Sequence, residues 1–326
     1  MNTFGNNFRV EIFGESHGEI VGILIDGVPP GIRMNEDDFS NDLKRRNPRR
    51  EGITDRKEKD IPQIKTGIFN DKTTGAPVLI YFKNEDADSS KYEDLKNKPR
   101  PGHADFTAYK KYRGYNDYRG GGIFSGRLTT GLVAAGVLAK KIIQGINIKA
   151  EVISVGGLDY NKKNIDKLLE KDDSFGGIIE CRATNTPVGL GEPFFDSAES
   201  VLSHILFSIP GIKGVEFGAG FDSAKMKGSE FNDEIIDEAG KTATNNAGGI
   251  NGGITNGNDL IFRIAVRPAS SISKKQNTIN LKTGKNEEIK IEGRHDKLVV
   301  LRMPVIIEAV TAITLADLKI TSKMHD

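Results

Sequence analysis

Residues 128–146, LTTGLVAAGVLAKKIIQGI, carry apolar side chains at helical spacing, with two lysines and no proline. Such a stretch folds as a buried helix of several turns. Three more helices are expected around it. Asn35-Glu36-Asp37-Asp38 opens a short one that runs to about Arg46 and is ended by Pro48, its acidic residues suiting a helix first turn. Residues 197–209 (SAESVLSHILFSI) form an amphipathic helix closed by Pro210-Gly211, and residues 304–320 form the last, with Pro304 at the first helical position. Between the helices lie segments with strand character: residues 8–13, 20–25, 64–69, 78–82, 149–155, 177–183, 215–218, 259–267 and 287–291. The pattern predicts one α+β domain over residues 1–326, with polar loops near 47–60 and 84–99, and no solenoid repeat.

Composition narrows the class. The 46 basic and 45 acidic side chains leave a formal charge of +1, so the average surface offers no field for a nucleic acid or a membrane, and any anion site must be a local cluster. One cysteine, Cys181, excludes an internal disulfide framework and a multi-cysteine metal site. The histidines lack metal-ligand spacing. No run approaches a membrane span, and the first residues lack a secretory layout; a cytoplasmic protein is expected. Glycine is 37 of 326 residues, well above the usual share of about 7%, and it clusters in runs where a backbone would approach something closely.

Five constellations could carry chemistry. Gly14-Glu15-Ser16-His17-Gly18 puts a histidine on a tight turn, where its imidazole can titrate near neutrality and donate to an anion; an ordinary polar turn explains the same residues equally well. In Arg100-Pro101-Gly102-His103-Ala104-Asp105, the aspartate could orient the ring and the arginine could grip a phosphate or carboxylate. The run from Tyr118-Arg119 through Gly120-Gly121-Gly122 to Arg127 leads into the long helix, as a phosphate cradle would. Residues 245–257, NNAGGINGGITNG, join asparagine amides to flexible backbone and lead towards Arg267-Pro268-Ala269-Ser270-Ser271. Gly293-Arg294-His295-Asp296 gathers base, acid and cation in one tetrapeptide. The basic run at residues 44–50 has no interleaved aromatics and reads better as a local anion pocket than as an RNA- or nucleotide-binding face. From the residues alone, an anion-handling enzyme with two loop histidines is the reading.

In order along the chain stand FGESHG (13–18), DGVPPGI (26–32), DLKRR (42–46), RPGHAD (100–105), YRGGG (118–122), PVGLGEP (187–193), GIKGVEFGAGF (211–221), NNAGGINGGITNG (245–257), RPASSI (267–272) and GRHD (293–296). This series resembles the chorismate synthase family. The resemblance implies a β–α–β sandwich of long central helices between antiparallel sheets, and a homotetramer. It implies a lyase of the shikimate pathway to the aromatic amino acids, one that converts 5-enolpyruvylshikimate 3-phosphate (EPSP) to chorismate. The implied reaction is a 1,4-anti elimination of phosphate and the C6 hydrogen that depends on reduced FMN without net redox change; NADPH serves some members as reductant. His17 resembles the histidine that protonates the departing phosphate, with Ser16 in its relay, and His103 the one that protonates reduced flavin. Asp296 resembles the carboxylate implicated in removing the C6 proton. Arg46, Arg127 and Arg294 match positions that hold substrate or flavin anions, with Arg50 or Arg49 filling a second arginine position. Flavin contacts are implied at Ser125, Pro210, Gly211, Gly252, Arg267, Pro268, Ala269, Ser270, Ser271 and Arg294. After the triple glycine, Ser125, Arg127 and Thr129 match the usual pattern while Ile123, Phe124, Gly126 and Leu128 depart from it. Another flavin- or phosphate-dependent lyase is the alternative reading.

Overall fold

The structure, a computed structural model, describes residues 2–48, 51–53, 58–85, 92–291 and 295–322. Along the chain run β1 (Thr3–Phe4), β2 (Arg9–Gly14), β3 (Ile20–Asp26), α1 (Ser40–Arg46), β4 (Gln63–Ile64), β5 (Ile68–Phe69), β6 (Lys72–Thr73), β7 (Val78–Lys83), α2 (Asp105–Lys111) and α3 (Thr129–Ile142). Then follow β8 (Asn147–Val155), β9 (Leu158–Asp159), α4 (Lys162–Leu169), β10 (Gly177–Thr184), α5 (Ala198–Ser208), β11 (Ile212–Phe217) and α6 (Gly228–Phe231). The last elements are β12 (Ile250–Asn251), β13 (Ile254–Thr255), β14 (Leu260–Val266), β15 (Gln276–Ile279), β16 (Asn286–Ile289) and α7 (Pro304–Ser322).

Two five-stranded antiparallel sheets enclose the helices, in the orders β1-β2-β3-β7-β4 and β11-β14-β10-β8-β9. Helix α3 lies on β3 of the first sheet, α7 lies on β8 of the second, and α3 and α7 pack on each other. Both helices are apolar around their circumference, and every residue of α3 from Thr129 to Ala139 is buried, as a helix between two layers requires. The β–α–β sandwich expected from the resemblance is the observed fold.

Glycine sets the layer spacing. A Cβ on Gly136 would stand 2.4 Å from Cβ of Ala309 in α7, and one on Gly131 would stand 3.1 Å from the carbonyl oxygen of Gly22 in β3. Buried polar groups tie the layers in register. Glu308 of α7 accepts Arg45 of α1 at 2.7 and 2.6 Å and the backbone N–H of Ala150 in β8 at 3.2 Å. Asp317 accepts the backbone N–H groups of Asn6, Asn7 and Phe8, so the end of α7 aims the start of β2.

The structure departs from expectation in several places, the short strands β1, β6, β9 and β15 among them. Helices α2, α4 and α6 were not anticipated; the apolar stripe of α4 is short, Ile165, Leu168 and Leu169, and only Leu168 is fully buried. Residues 64–69 split into β4 and β5 at Gly67, whose φ is +81°. The asparagine–glycine stretch holds a hairpin, β12–β13, turned by Gly252 and Gly253. Within the polar loop near 47–60, Asp60 is buried rather than solvated.

Candidate functional site

The connections beyond β2, β7 and β14 carry most of the residues singled out above. His17 lies in the turn between β2 and β3, its ring edge-on to Tyr92 with centroids 5.0 Å apart. The backbone N–H of Ser16 donates to the Gly122 carbonyl at 3.2 Å, so the triple glycine lies against this turn. Gly120, Gly121 and Gly122 have φ of +58°, +88° and +53°, a left-handed path that side chains resist. The reason for three glycines is close approach. A Cβ on Gly120 would fall 2.2 Å from Cδ2 and 2.5 Å from Nε2 of His17, and 2.9 Å from Oγ of Ser16. One on Gly121 would fall 3.2 Å from Cε1 and 3.4 Å from Nε2 of His103. Two successive glycines therefore back onto the two histidines, although the imidazoles are 86 positions apart in the chain (103 − 17). These glycines do not themselves start α3; a 3₁₀ turn, Gly126–Leu128, intervenes.

His103 is fixed by Asp105, whose Oδ1 stands 2.6 Å from Nδ1. Arg100 Nη2 also lies 3.1 Å from Nδ1, but the shorter contact is with the carboxylate, which only accepts, so it favours the proton on Nδ1 and leaves Nε2 facing the Gly121 side. Burial pushes the Asp105 carboxyl up, but hydrogen bonds from Arg100 and His103, reinforced by charge, hold it well below the usual carboxylate range. Arg100 is buried and donates to Asp105 through Nε at 2.7 Å and Nη2 at 2.8 Å, and to Ser271 through Nη1 at 3.2 Å. Its fork thus grips a carboxylate, that of Asp105 in the same loop, and through it positions His103.

The Arg267–Ser271 segment closes on the same loop. Ser270 Oγ donates to the Gly102 carbonyl at 2.9 Å and accepts Arg267 Nη1 at 2.7 Å. Pro268 also accepts Arg267 Nη1, at 3.3 Å, and Ala269 accepts Ser174 Oγ at 2.7 Å. The Arg267 backbone N–H donates to Gly211 at 2.8 Å, which brings in Pro210-Gly211 at a backbone turn with φ of +99°.

A second cluster gathers at the N-terminus of α3. Arg46 and Arg127 are 9% and 2% exposed, and both reach Asp60. Arg46 Nη1 stands 3.2 Å from one carboxylate oxygen while Arg127 Nη1 holds the other. Arg46 also donates to Thr129 Oγ1 at 3.1 Å and to the Gly126 carbonyl at 2.9 Å. Ser125 accepts the Arg127 backbone N–H at 3.2 Å, capping the 3₁₀ turn. Asp60, with Glu58 3.8 Å from Arg127, supplies the negative charge that lets two guanidinium groups converge out of water. Arg45, 40% exposed at its side chain, pairs with Glu308, so the two described arginines of the basic run each meet a carboxylate within the fold.

Asp296 is held by Arg302 through Nε at 2.9 Å and Nη2 at 3.2 Å, and Arg302 reaches Asn47 at 2.6 Å, beside Arg46. Arg50 and Arg294 lie outside the described residues. Gly252 stands apart: its hairpin leads into the Leu260 end of β14, whereas Arg267 follows the Val266 end, and a strand of that length spans roughly 20 Å. Sequence reasoning passed over Asp60, Asn84 and Tyr92. Each sits in or beside a polar stretch with no periodicity, and only chain folding reveals its partner.

These features define a class: a helix-filled α+β sandwich whose loops gather histidines and buried arginines beside one glycine run. Residues 8–320 match the family described as chorismate synthase. A chorismate synthase of Chitinophaga pinensis is 57% identical over 318 residues, covering 97% of this chain and 96% of that protein. One from Pyrococcus abyssi is 45% identical, covering 96% of each. A solved structure titled "Crystal Structure of Chorismate Synthase" superposes with a TM-score of 0.74 at 26% identity, covering 97% of this chain and 93% of that one. The chain belongs to the chorismate synthase family.

Proposed function

We propose that this chain is a lyase that converts EPSP to chorismate by 1,4-anti elimination, with reduced FMN bound, in the cytoplasm. Family membership and the 57% identical relative support the reaction. The single observation that carries the site assignment is the packing of His17 and His103 against successive glycines, Gly120 and Gly121. Eliminating phosphate at neutral pH requires a proton for the leaving group, a base for the C6 hydrogen, and cations for the phosphate and two carboxylates. His17 holds the proton for the departing phosphate, with Ser16 beside it. Asp296 takes part in removing the C6 proton, and Arg46, Arg127, Arg294 and Arg50 supply the positive field.

The residues fit a flavin. Ser270, Ser271 and Arg267 present hydroxyl and guanidinium donors next to the His103 loop, and a Cβ on Gly126, beside Ser125, would meet nothing within 4 Å. Ser125, Pro210, Gly211 and residues 267–271 would hold it. When bound, reduced FMN supplies electron density that side chains cannot, and recovers it at the end; NADPH is the proposed reductant. His103 presents Nε2 as the atom through which a proton would pass to the flavin, with Asp105 holding Nδ1. One continuous apolar core supports a single domain, and exposed Val188, Phe194, Phe195, Phe221 and Ile235 support assembly into a homotetramer. Assembly is also the route by which Gly252 would reach a flavin held elsewhere. The test is anaerobic incubation with EPSP and chemically reduced FMN. Chorismate and phosphate are expected in equal amounts; the absence of both overturns the proposal.

A further inference from the structure

Asn84 follows β7 directly, and its four polar contacts join the two clusters. Its backbone N–H donates to the Glu19 carbonyl at 3.0 Å. Its side-chain Nδ2 donates to the carbonyls of Glu15 at 3.0 Å and Gly18 at 2.8 Å. Residues 15–19 form the turn that carries Ser16 and His17, so one residue fastens that turn near both ends. On the other side, Oδ1 accepts Arg127 Nε at 2.9 Å. The amide orientation is dictated by its surroundings. A guanidinium only donates and a carbonyl only accepts, so reversing the amide would set donor against donor and acceptor against two acceptors. No other common side chain of this size donates twice and accepts once from one planar group. Arg127 in turn meets Arg46 through Asp60.

We propose that Asn84 is a positioning residue, one that holds the His17 turn in register with the Arg46–Asp60–Arg127 cluster. The proposal rests on the reading of His17 as the group that holds the proton for the leaving phosphate. Substrate phosphate bound by the arginines and the imidazole that serves it are then set in one frame, bridged by a single amide. The alternative is that Asn84 merely finishes β7, in which case its loss costs stability and leaves the chemistry of His17 untouched.

The two differ in how mutations combine, because residues that act as a unit are non-additive. Turnover of EPSP with reduced FMN is measured for the wild type, Asn84→Ala, Asn84→Asp, His17→Ala and the Asn84→Ala/His17→Ala double variant. Asn84→Ala is expected to lose roughly 10- to 100-fold in kcat, the range for a misplaced reacting group, with KM changed less than about threefold. Asn84→Asp keeps the oxygen for Arg127 but loses both donors to the turn, and should fall at least as far. In the His17→Ala background, Asn84→Ala should cost less than about twofold. Fold losses that multiply in the double variant, a change confined to KM, or single variants that retain wild-type kcat overturn the proposal. A second measurement needs no turnover: the NMR signals of the labelled His17 imidazole should shift in the near-isosteric Asn84→Asp protein, and signals identical to wild type overturn it. Failure of the wild type to turn over EPSP would sink the functional reading instead, while the imidazole comparison still decides the role of Asn84.

Discussion

Replacing Gly120 with alanine tests the geometry on which the site depends. The added methyl would lie 2.2 Å from Cδ2 of His17, whereas carbon atoms rest about 3.5–4.0 Å apart. The ring must therefore retreat by more than about 1 Å, a misplacement that typically costs ~10²-fold in rate. The left-handed φ of +58° adds a backbone cost of about 1–2 kcal/mol. Gly121→Ala is the matched control. It carries the same kind of backbone cost at φ +88°, but its methyl meets His103 at 3.2 Å, a gap closed by a few tenths of an ångström. Thermal melting should show similar losses for the two variants, a few degrees each. Anaerobic turnover should separate them, with Gly120→Ala down ~100-fold and Gly121→Ala down ~10-fold or less. Gly120→Ala turning over within threefold of wild type, or no better separated from its neighbour than melting predicts, would refute the reasoning.

Three further outcomes are expected. Asp60→Ala takes from the buried Arg46 and Arg127 the carboxylate that both reach, leaving Arg127 with Glu58 at 3.8 Å, and should cost about 3–5 kcal/mol in urea unfolding; a loss below 1 kcal/mol would contradict the burial. The depressed Asp105 carboxyl contributes stability that is full above its unfolded value of about 3.9 and is lost as pH falls through its folded value. The stability gap between wild type and Asp105→Asn should therefore be large at pH 7 and shrink on acidification below about pH 4; a gap that widens on acidification argues against it. Phe195→Asp, at a side chain 92% exposed, should lower the mass measured by light scattering, and an unchanged mass would remove this face from the assembly.

How much of this was legible beforehand differs between scaffold and site. Helix α3 declared itself because residues 129–139 are apolar at every turn; β2 did so through alternation and β3 as an apolar run. The order of layers could not be read from periodicity, which says that a face is buried and not what covers it. Helix α2 was hidden because its one buried side chain is Ala108. In the site, His17, His103 and the glycine run stood out by residue type. Their meeting did not, since it depends on the φ of three consecutive glycines. Arg100 looked like a ligand group and proved to be the holder of Asp105, because spacing along a loop cannot say which way a guanidinium turns. Asp60 and Asn84 were unreadable for a similar reason: each acts through a partner at least 14 positions away.

The contact between Gly136 and Ala309 has a reach beyond the core. His17 hangs from the first sheet and Arg267 from the second, while α3 and α7 lie between those sheets as two rods. Their spacing works like the jaw setting of a caliper, and a single missing methyl at Gly136 lets the jaws close. A larger residue there would act as a wedge, pushing apart groups it never touches. Mutations deep in the helix pair should therefore be mistaken for damage to the histidines, with a tightly bound flavin pulling the jaws back together.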